Sequence, residues 1–364
     1  MTSVVSNSAE KGRKQRLLIV RLGSMGDIIH TLLAATALRQ AFPDAIMGWI
    51  VEERWAELLC TLRTPRSGPR SPQRPLVDRI HAVHTAQWRR SLLSNHTWEQ
   101  IASGLSELRA ACYQVAVDFQ GAVRSALLAR WSGASTIYGV AQPRENVASM
   151  FYTRQVIARG AHVAQQNLSL AEAVAGQHLE MPRIQFPVEP PAEEECERRL
   201  KDHDMQQFVL LSPGAGWGAK QWPAERYGYV AKCLAEDGLK SVINFGPGEE
   251  TLARAVEAAS GGAAEAMPCS LTELIALTRR AQLFIGGDTG PMHLAAALRV
   301  PVVGIFGPTN PARNGPFGTC NFVLRSPTSQ TDHSRHAEPE QGLLQISSEE
   351  VLAAARKLLR GCLG

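Results

Sequence analysis

The chain has 364 residues, of which 45 % are apolar and 20 % charged, an ordinary globular balance with enough length for two domains. A formal charge of +4 hides an asymmetry: residues 1–185 carry 21 Lys and Arg against 13 Asp and Glu, and residues 186–364 carry 17 against 21. No run of 18 apolar residues marks a membrane span, the polar start MTSVVSNSAEKGRKQR does not read as a signal peptide, and seven scattered cysteines with no C-x-x-C suggest neither a disulfide scaffold nor a zinc site, which points to the cytoplasm.

Residues 1–16 read as a flexible tail. Leu17-Leu18-Ile19-Val20 is the short apolar run expected of a strand buried on both faces. The turn Gly23-Ser24-Met25-Gly26 follows, Asp27 to Ala41 has helical spacing, and Ala45 to Val51 is a second strand, so the chain opens on a β-α-β unit. Residues 63–75, RTPRSGPRSPQRP, lack periodicity and read as an exposed loop insertion or local disorder. A strand at Arg79 to His84, a helix at Asn95 to Ala111, a strand at Gln114 to Phe119, a further helix and a strand at Thr136 to Val140 complete the half. This alternation predicts a parallel sheet with helices on both faces.

Pro182, Pro187, Pro190 and Pro191 precede the charged run Glu193 to Arg199, and 186–205 reads as a linker between a domain at 17–185 and one at 206–364. The pattern then restarts: strands at Phe208 to Leu211, Val242 to Phe245, Leu283 to Ile285 and Val302 to Phe306 alternate with helices at Pro223 to Ala235, Leu271 to Arg280 and Met292 to Leu298. Residues 326–341 are polar and read as a mobile loop, and Ser347 to Leu359 is a closing helix with Glu349-Glu350 in its first turn. Ligands of such sheets sit beyond the C-terminal strand ends.

Four turns at such ends carry the chemistry. In Gly23-Ser24-Met25-Gly26-Asp27, glycines admit a close ligand and Asp27 is either a reactive carboxylate or a helix cap. In Ser212-Pro213-Gly214-Ala215-Gly216, followed by Lys220 and Trp222-Pro223, backbone amides and a lysine suit phosphate oxygens, although a surface turn with a solvated lysine has the same pattern. Gly246-Pro247-Gly248-Glu249-Glu250 offers a carboxylate for ribose hydroxyls, or only first-turn glutamates. In Gly286-Gly287-Asp288-Thr289-Gly290-Pro291-Met292-His293 a helix N-terminus forms an anion site, or His293 is a core histidine. G-x-G-x-x-G, Walker A, G-x-S-x-G and H-E-x-x-H are absent. A dinucleotide oxidoreductase is thereby disfavoured, and a non-catalytic nucleotide-binding protein remains as the alternative to an enzyme.

Taken in order, Ser24 to Leu32, Val51-Glu52-Glu53, Asp118-Phe119-Gln120-Gly121, Pro213-Gly214 to Lys220 with Trp222-Pro223, and Asp288-Thr289-Gly290 with His293 resemble glycosyltransferase family 9, the bacterial heptosyltransferases of lipopolysaccharide core synthesis, over about 17–360. The first half is most similar to heptosyltransferase I, while Ser-Pro-Gly-Ala-Gly also occurs in heptosyltransferase II-like forms. The resemblance implies a GT-B fold, two Rossmann-like doubly wound α/β domains facing across a cleft. It implies ADP-L-glycero-D-manno-heptose as donor on the C-terminal domain, Kdo-lipid A as acceptor on the N-terminal one, and inverting transfer with no metal or other cofactor. Asp27 would be the general base and Lys220 the diphosphate's cation. Ser212, Gly214, Ala215, Gly216, Asp288, Thr289, Gly290 and His293 would line the donor, Glu249 or Glu250 would hold its ribose, and Cys269 would meet the adenine. Ser24, Met25, Gly26, Arg89, Arg90, Gln120, Arg124, Arg144 and Arg154 would meet the acceptor. The arginine bias, 31 Arg to 7 Lys, suits phosphates and carboxylates. The expected setting is a monomer at the cytoplasmic face of the inner membrane, touching its anionic surface and no nucleic acid.

Overall fold

A computed structural model of the chain describes residues 14–361, apart from 92, 93, 333 and 335. Most of the expected tail, 1–13, lies outside the described residues, and Arg16 already begins a strand. The chain forms two compact units, Met1–Pro187 and Val188–Gly364.

The first unit runs β1 (Arg16–Val20), α1 (Met25–Ala41), β2 (Ile46–Glu52), β3 (Arg79–Val83), α2 (Thr85–Arg90), α3 (Asn95–Ala110), β4 (Val115–Asp118), α4 (Val123–Trp131), β5 (Thr136–Val140), β6 (Arg154–Val156) and α5 (Val163–Ala175). Its strands pair in the order β3-β2-β1-β4-β5-β6, all in parallel. Leu17, Leu18, Ile19 and Val20 are buried, as a strand covered on both faces requires. Helix α1 is apolar on nearly every side. It is tied to α5 by a hydrogen bond from Asn167 to Thr31 at 3.2 Å and by the edge-on rings of His30 and His162.

The 63–75 segment is a loop with its own centre. Arg74 is 2 % exposed. Its guanidinium donates to the carbonyls of Val77 at 3.1 Å, Pro69 at 2.8 Å and Pro65. Arg66 pairs with Glu53, and Arg70 lies 3.7 Å from Asp78.

The second unit runs α6 (Pro190–Asp202), β7 (Phe208–Ser212), α7 (Ala224–Glu236), β8 (Lys240–Phe245), α8 (Glu250–Ser260), β9 (Ala264–Pro268), α9 (Leu271–Arg280), β10 (Leu283–Gly287), α10 (Gly290–Ala297), β11 (Val302–Phe306), α11 (Pro311–Asn314), β12 (Asn321–Arg325) and α12 (Ser348–Gly361). The parallel order is β12-β11-β10-β7-β8-β9. In each sheet the first strand and the fourth are neighbours and the chain winds away to opposite sides, which makes their C-terminal ends the topological switch point.

The expected linker at 186–205 is mostly helix. Pro190 and Pro191 occupy the first turn, where their missing amides cost nothing. Ala192, Cys196 and Leu200, spaced by four, are buried, and Glu193 pairs with Arg279 and Arg280 of α9. Short strands β6, β9 and β12 escaped the sequence reading because they are polar or mixed in composition and lie at sheet edges. No helix among the described residues is long and apolar enough to cross a membrane.

Candidate functional site

In the first unit the switch point lies between β1 and β4. Register aligns Val20 with Asp118, so the two following turns lie side by side. Asp27 is in the first turn of α1. Its carboxylate accepts from the Ser24 amide at 3.1 Å and the Ser24 hydroxyl at 3.0 Å, as in a helix cap. It also meets the Arg21 guanidinium at 2.6 Å, with 38 % of its side chain exposed. Burial pushes the Asp27 pKa up, but the Arg21 charge and the Ser24 hydrogen bonds together outweigh it and hold the carboxyl below its ordinary value. The capping contacts thus leave the carboxylate ionised and partly open.

Arg21 is missing from the sequence-derived site. It donates to the Phe119 carbonyl, which locks the first switch-point turn to the second. Gln120 completes the lock, its side-chain oxygen accepting from the Leu22 amide at 2.9 Å. Gln120 was expected at the acceptor, yet its oxygen is committed to the backbone. The signal for Arg21 was its place: a basic residue directly after a buried strand, six residues before Asp27. Beneath the turn, fully buried Asp118 accepts from Tyr152 and Ser125 side chains and the Gln120 and Gly121 amides. Burial raises its pKa despite these four donors. Gly139 makes room for the Tyr152 ring, since a Cβ there would lie 2.3 Å from it.

The expected acceptor residues are not all in one place. Ser24, Met25 and Gly26 open α1, where Met25 and Gly26 are buried. Arg124 and Arg144 come together, because Glu145 accepts from the Val123 amide and donates its own amide to Gly121. Arg154 is on edge strand β6, and Arg90 is on α2 beyond the opposite edge strand, β3. Arg89 is also in α2, but its side chain lies outside the described residues.

The second unit has its own switch point between β7 and β10, where Ser212 pairs with Gly286. Lys220 donates to the Asp288 carboxylate at 2.8 Å and to its carbonyl at 3.1 Å. The His293 Nε2 lies 3.2 Å from the other Asp288 oxygen. Burial pushes the Asp288 pKa up, but the contacts with His293 and Lys220 outweigh it and hold the carboxyl far below its ordinary value. The Lys220 ammonium sits 4.3 Å over the Trp217 ring. At the start of α10, the amides of Gly290 and Met292 have no acceptor within the helix, and Pro291 has no amide. Lys220 and this helix start together form a cationic, amide-lined rim suited to phosphate oxygens.

The Glu249 carboxylate accepts from the Gly246 amide at 2.9 Å and lies against Gly214, where a Cβ would come within 2.2 Å of it. Glu250 is exposed and bonds the local Gly248 amide, at 3.2 Å. Glu249 is therefore the one brought to the Ser212–Gly216 turn, in which Gly216 has open space around it. Thr289 caps α10. Cys269 follows β9 at the sheet edge, donating to the Met267 carbonyl at 3.4 Å, and burial pushes its thiol pKa up to about 12. The 326–341 stretch, expected to be mobile, is hydrogen-bonded onto the Lys220 turn. The Ala219 amide donates to His336, and Glu340 donates back to Ala219. A side chain at Gly218 would strike the Ala337 carbonyl.

Residues 102–344 match Glycosyltransferase family 9 (heptosyltransferase). The chain belongs to this family. It is 30 % identical to lipopolysaccharide heptosyltransferase 1 of Pseudomonas aeruginosa over 94 % of each chain. Among solved structures it is similar to the E. coli heptosyltransferase WaaC with ADP, at 25 % identity and a TM-score of 0.75 over 94 % of this chain and all of that one. The same E. coli protein with ADP-2-deoxy-2-fluoro heptose gives 26 % and 0.74, over 94 % and 99 %. The two parallel six-stranded units are thus those of a GT-B glycosyltransferase, and the chain is a heptosyltransferase of lipopolysaccharide core synthesis.

Proposed function

We propose that this family 9 enzyme moves L-glycero-D-manno-heptose from ADP-L-glycero-D-manno-heptose to a hydroxyl of Kdo in Kdo-lipid A, at the cytoplasmic face of the inner membrane. The observation that carries this reading is the Arg21–Asp27 pair: a carboxylate kept ionised by a cation, yet exposed over more than a third of its side chain. Such a group accepts the Kdo hydroxyl proton as that oxygen attacks the anomeric carbon. The new C–O bond forms on the face opposite the bond to the diphosphate. That older bond breaks, and ADP departs with its electron pair, so the configuration inverts. Lys220 and the first amides of α10 meet the growing negative charge. Because this charge is met by an ammonium and amides, the transfer is expected to need no metal.

Glu249 suits the ribose hydroxyls and Cys269 the adenine edge. Arg90, Arg124, Arg144 and Arg154, with Arg89, suit the carboxylate and phosphates of an acidic glycolipid. The similar E. coli protein, solved with ADP and with ADP-2-deoxy-2-fluoro heptose, supports the donor. A second reading is favoured by the Ser212-Pro213-Gly214-Ala215-Gly216 turn: a heptosyltransferase II-like enzyme acting on a heptosylated core acceptor. Incubation with ADP-heptose and either Kdo-lipid A or heptosyl-Kdo-lipid A separates the two. Product from the first supports the proposal, and product from the second alone overturns it in favour of the alternative. Turnover is expected to survive EDTA, and a strict metal requirement would contradict the charge assignment.

A further inference from the structure

The β6 edge of the first unit exposes apolar side chains that its core does not use. After β5 the chain makes a 3-10 turn at Asn146–Phe151 and returns along β6. With three residues per turn, positions i and i+3 share a side, and burial follows that period. Ala148 is buried and Phe151 packs on the core, whereas Val147 and Met150 face outward, with Met150 81 % exposed. The Gln155 side chain donates to the Ser149 carbonyl at 3.2 Å and holds β6 against this turn. Ile157 follows at the end of β6 and is also 81 % exposed.

Arginines flank these side chains. Arg144 precedes the turn beside Arg124, and Arg154 opens β6; all three are exposed. Among the described residues none of the three has an ion-pair partner, whereas nearby Arg159 is spent on Glu172 at 2.6 Å. The acidic Glu145 is occupied by the Val123 amide. A second copy of the chain fits this edge poorly, because a two-fold contact brings the same arginine-bearing patch of both copies together. The complement of exposed aliphatic groups among unneutralised guanidiniums is apolar below and anionic above, which describes a bilayer containing anionic phospholipid.

We infer that the 144–157 edge docks the enzyme on an anionic bilayer, with Val147, Met150 and Ile157 entering the acyl boundary and Arg144 and Arg154 at the headgroup phosphates. The inference rests on the reading of the acceptor as a lipid-anchored glycolipid. The edge begins where Glu145 grips Gly121, within the lock that holds Arg21 and Asp27, so docking there sets the acceptor turn near the headgroup level.

The test is co-sedimentation of the full chain with phosphatidylethanolamine vesicles, with and without phosphatidylglycerol. Turnover is assayed in parallel with an acyl-free, water-soluble Kdo acceptor. The chain is expected to bind the anionic vesicles, and Val147→Ser/Met150→Ser/Ile157→Ser is expected to lower that partitioning about tenfold or more, the loss of several buried methylenes, with soluble turnover within twofold of the parent. Unchanged partitioning of the triple variant would overturn the docking surface, as would equal binding to neutral vesicles. A concentration-dependent dimer abolished by the same substitutions would assign the edge to self-association instead. Vesicle binding that depends on these residues, in a chain inactive on every Kdo acceptor, would support the surface and remove the substrate reading.

Discussion

The two switch points are built alike and differ in one respect. Each sets a carboxylate against a cation, Asp27 with Arg21 and Asp288 with Lys220. The Asp27 side chain is 38 % exposed and the Asp288 side chain 7 %. Exposure decides what such a pair can do. A carboxylate with an open side can take a proton from a substrate, whereas one enclosed by lysine, histidine and protein can only hold its partners in place. Under the proposed roles the Asp27 carboxylate is the working group and Arg21 its support, whereas in the second unit the Lys220 ammonium is what a diphosphate would meet.

The largest expected effect tests the first half of this contrast. Asp27→Ala is expected to cut turnover by about 10²–10⁴-fold, the usual worth of a general base, while ADP binding measured by calorimetry stays near parental. Normal turnover would remove Asp27 from the chemistry. Asp288→Ala is expected to act on stability first, because it strands Lys220 without its counter-charge; breaking a buried pair this way costs about 3–5 kcal/mol. A denaturant midpoint equal to the parent's would erase the distinction between the two sites. Lys220→Ala is expected to cost on the order of 10² in donor kcat/KM, in the range seen on removing one charge-stabilising group, with little change in acceptor KM. Unchanged donor kinetics would contradict its role.

A smaller effect is a shift along the pH axis. Arg21 lowers the Asp27 pKa, so the base stays ionised to a pH below the ordinary carboxylate range and activity is lost only as pH falls through that lowered value. In Arg21→Met the burial that raises the pKa is opposed by the Ser24 hydrogen bonds alone, and the acid limb of kcat/KM is expected to move up. Arg21→Lys should restore it in part. A limb that stays in place in Arg21→Met would show that Arg21 only packs.

The sequence carried the alternation of the sheets, because strands buried on both faces leave continuous apolar runs such as Leu17 to Val20 and Phe208 to Leu211. It carried the four turns too, because glycines and carboxylates at strand ends are local features. Arg21 escaped because its importance lies in the Phe119 carbonyl, 98 residues away, and no local pattern encodes such a meeting. Helix α6 escaped because its prolines and charges resemble a linker until the buried spacing of Ala192, Cys196 and Leu200 is noticed. The choice between Glu249 and Glu250 needed a contact, the absent side chain of Gly214.

The 63–75 loop bears on how such compositions are read. Four of its thirteen residues are proline and supply carbonyls without amide hydrogens. The stretch therefore has a shortage of backbone donors, which would leave it hydrated and unstructured. Arg74 corrects the shortage with a guanidinium carrying five N–H groups, three of whose nitrogens close on carbonyls of Pro65, Pro69 and Val77. Where prolines remove donors, arginine replaces them. A proline-arginine stretch can thus be an ordered hydrogen-bonding unit, and its positive charges should not all be counted as available to a polyanion.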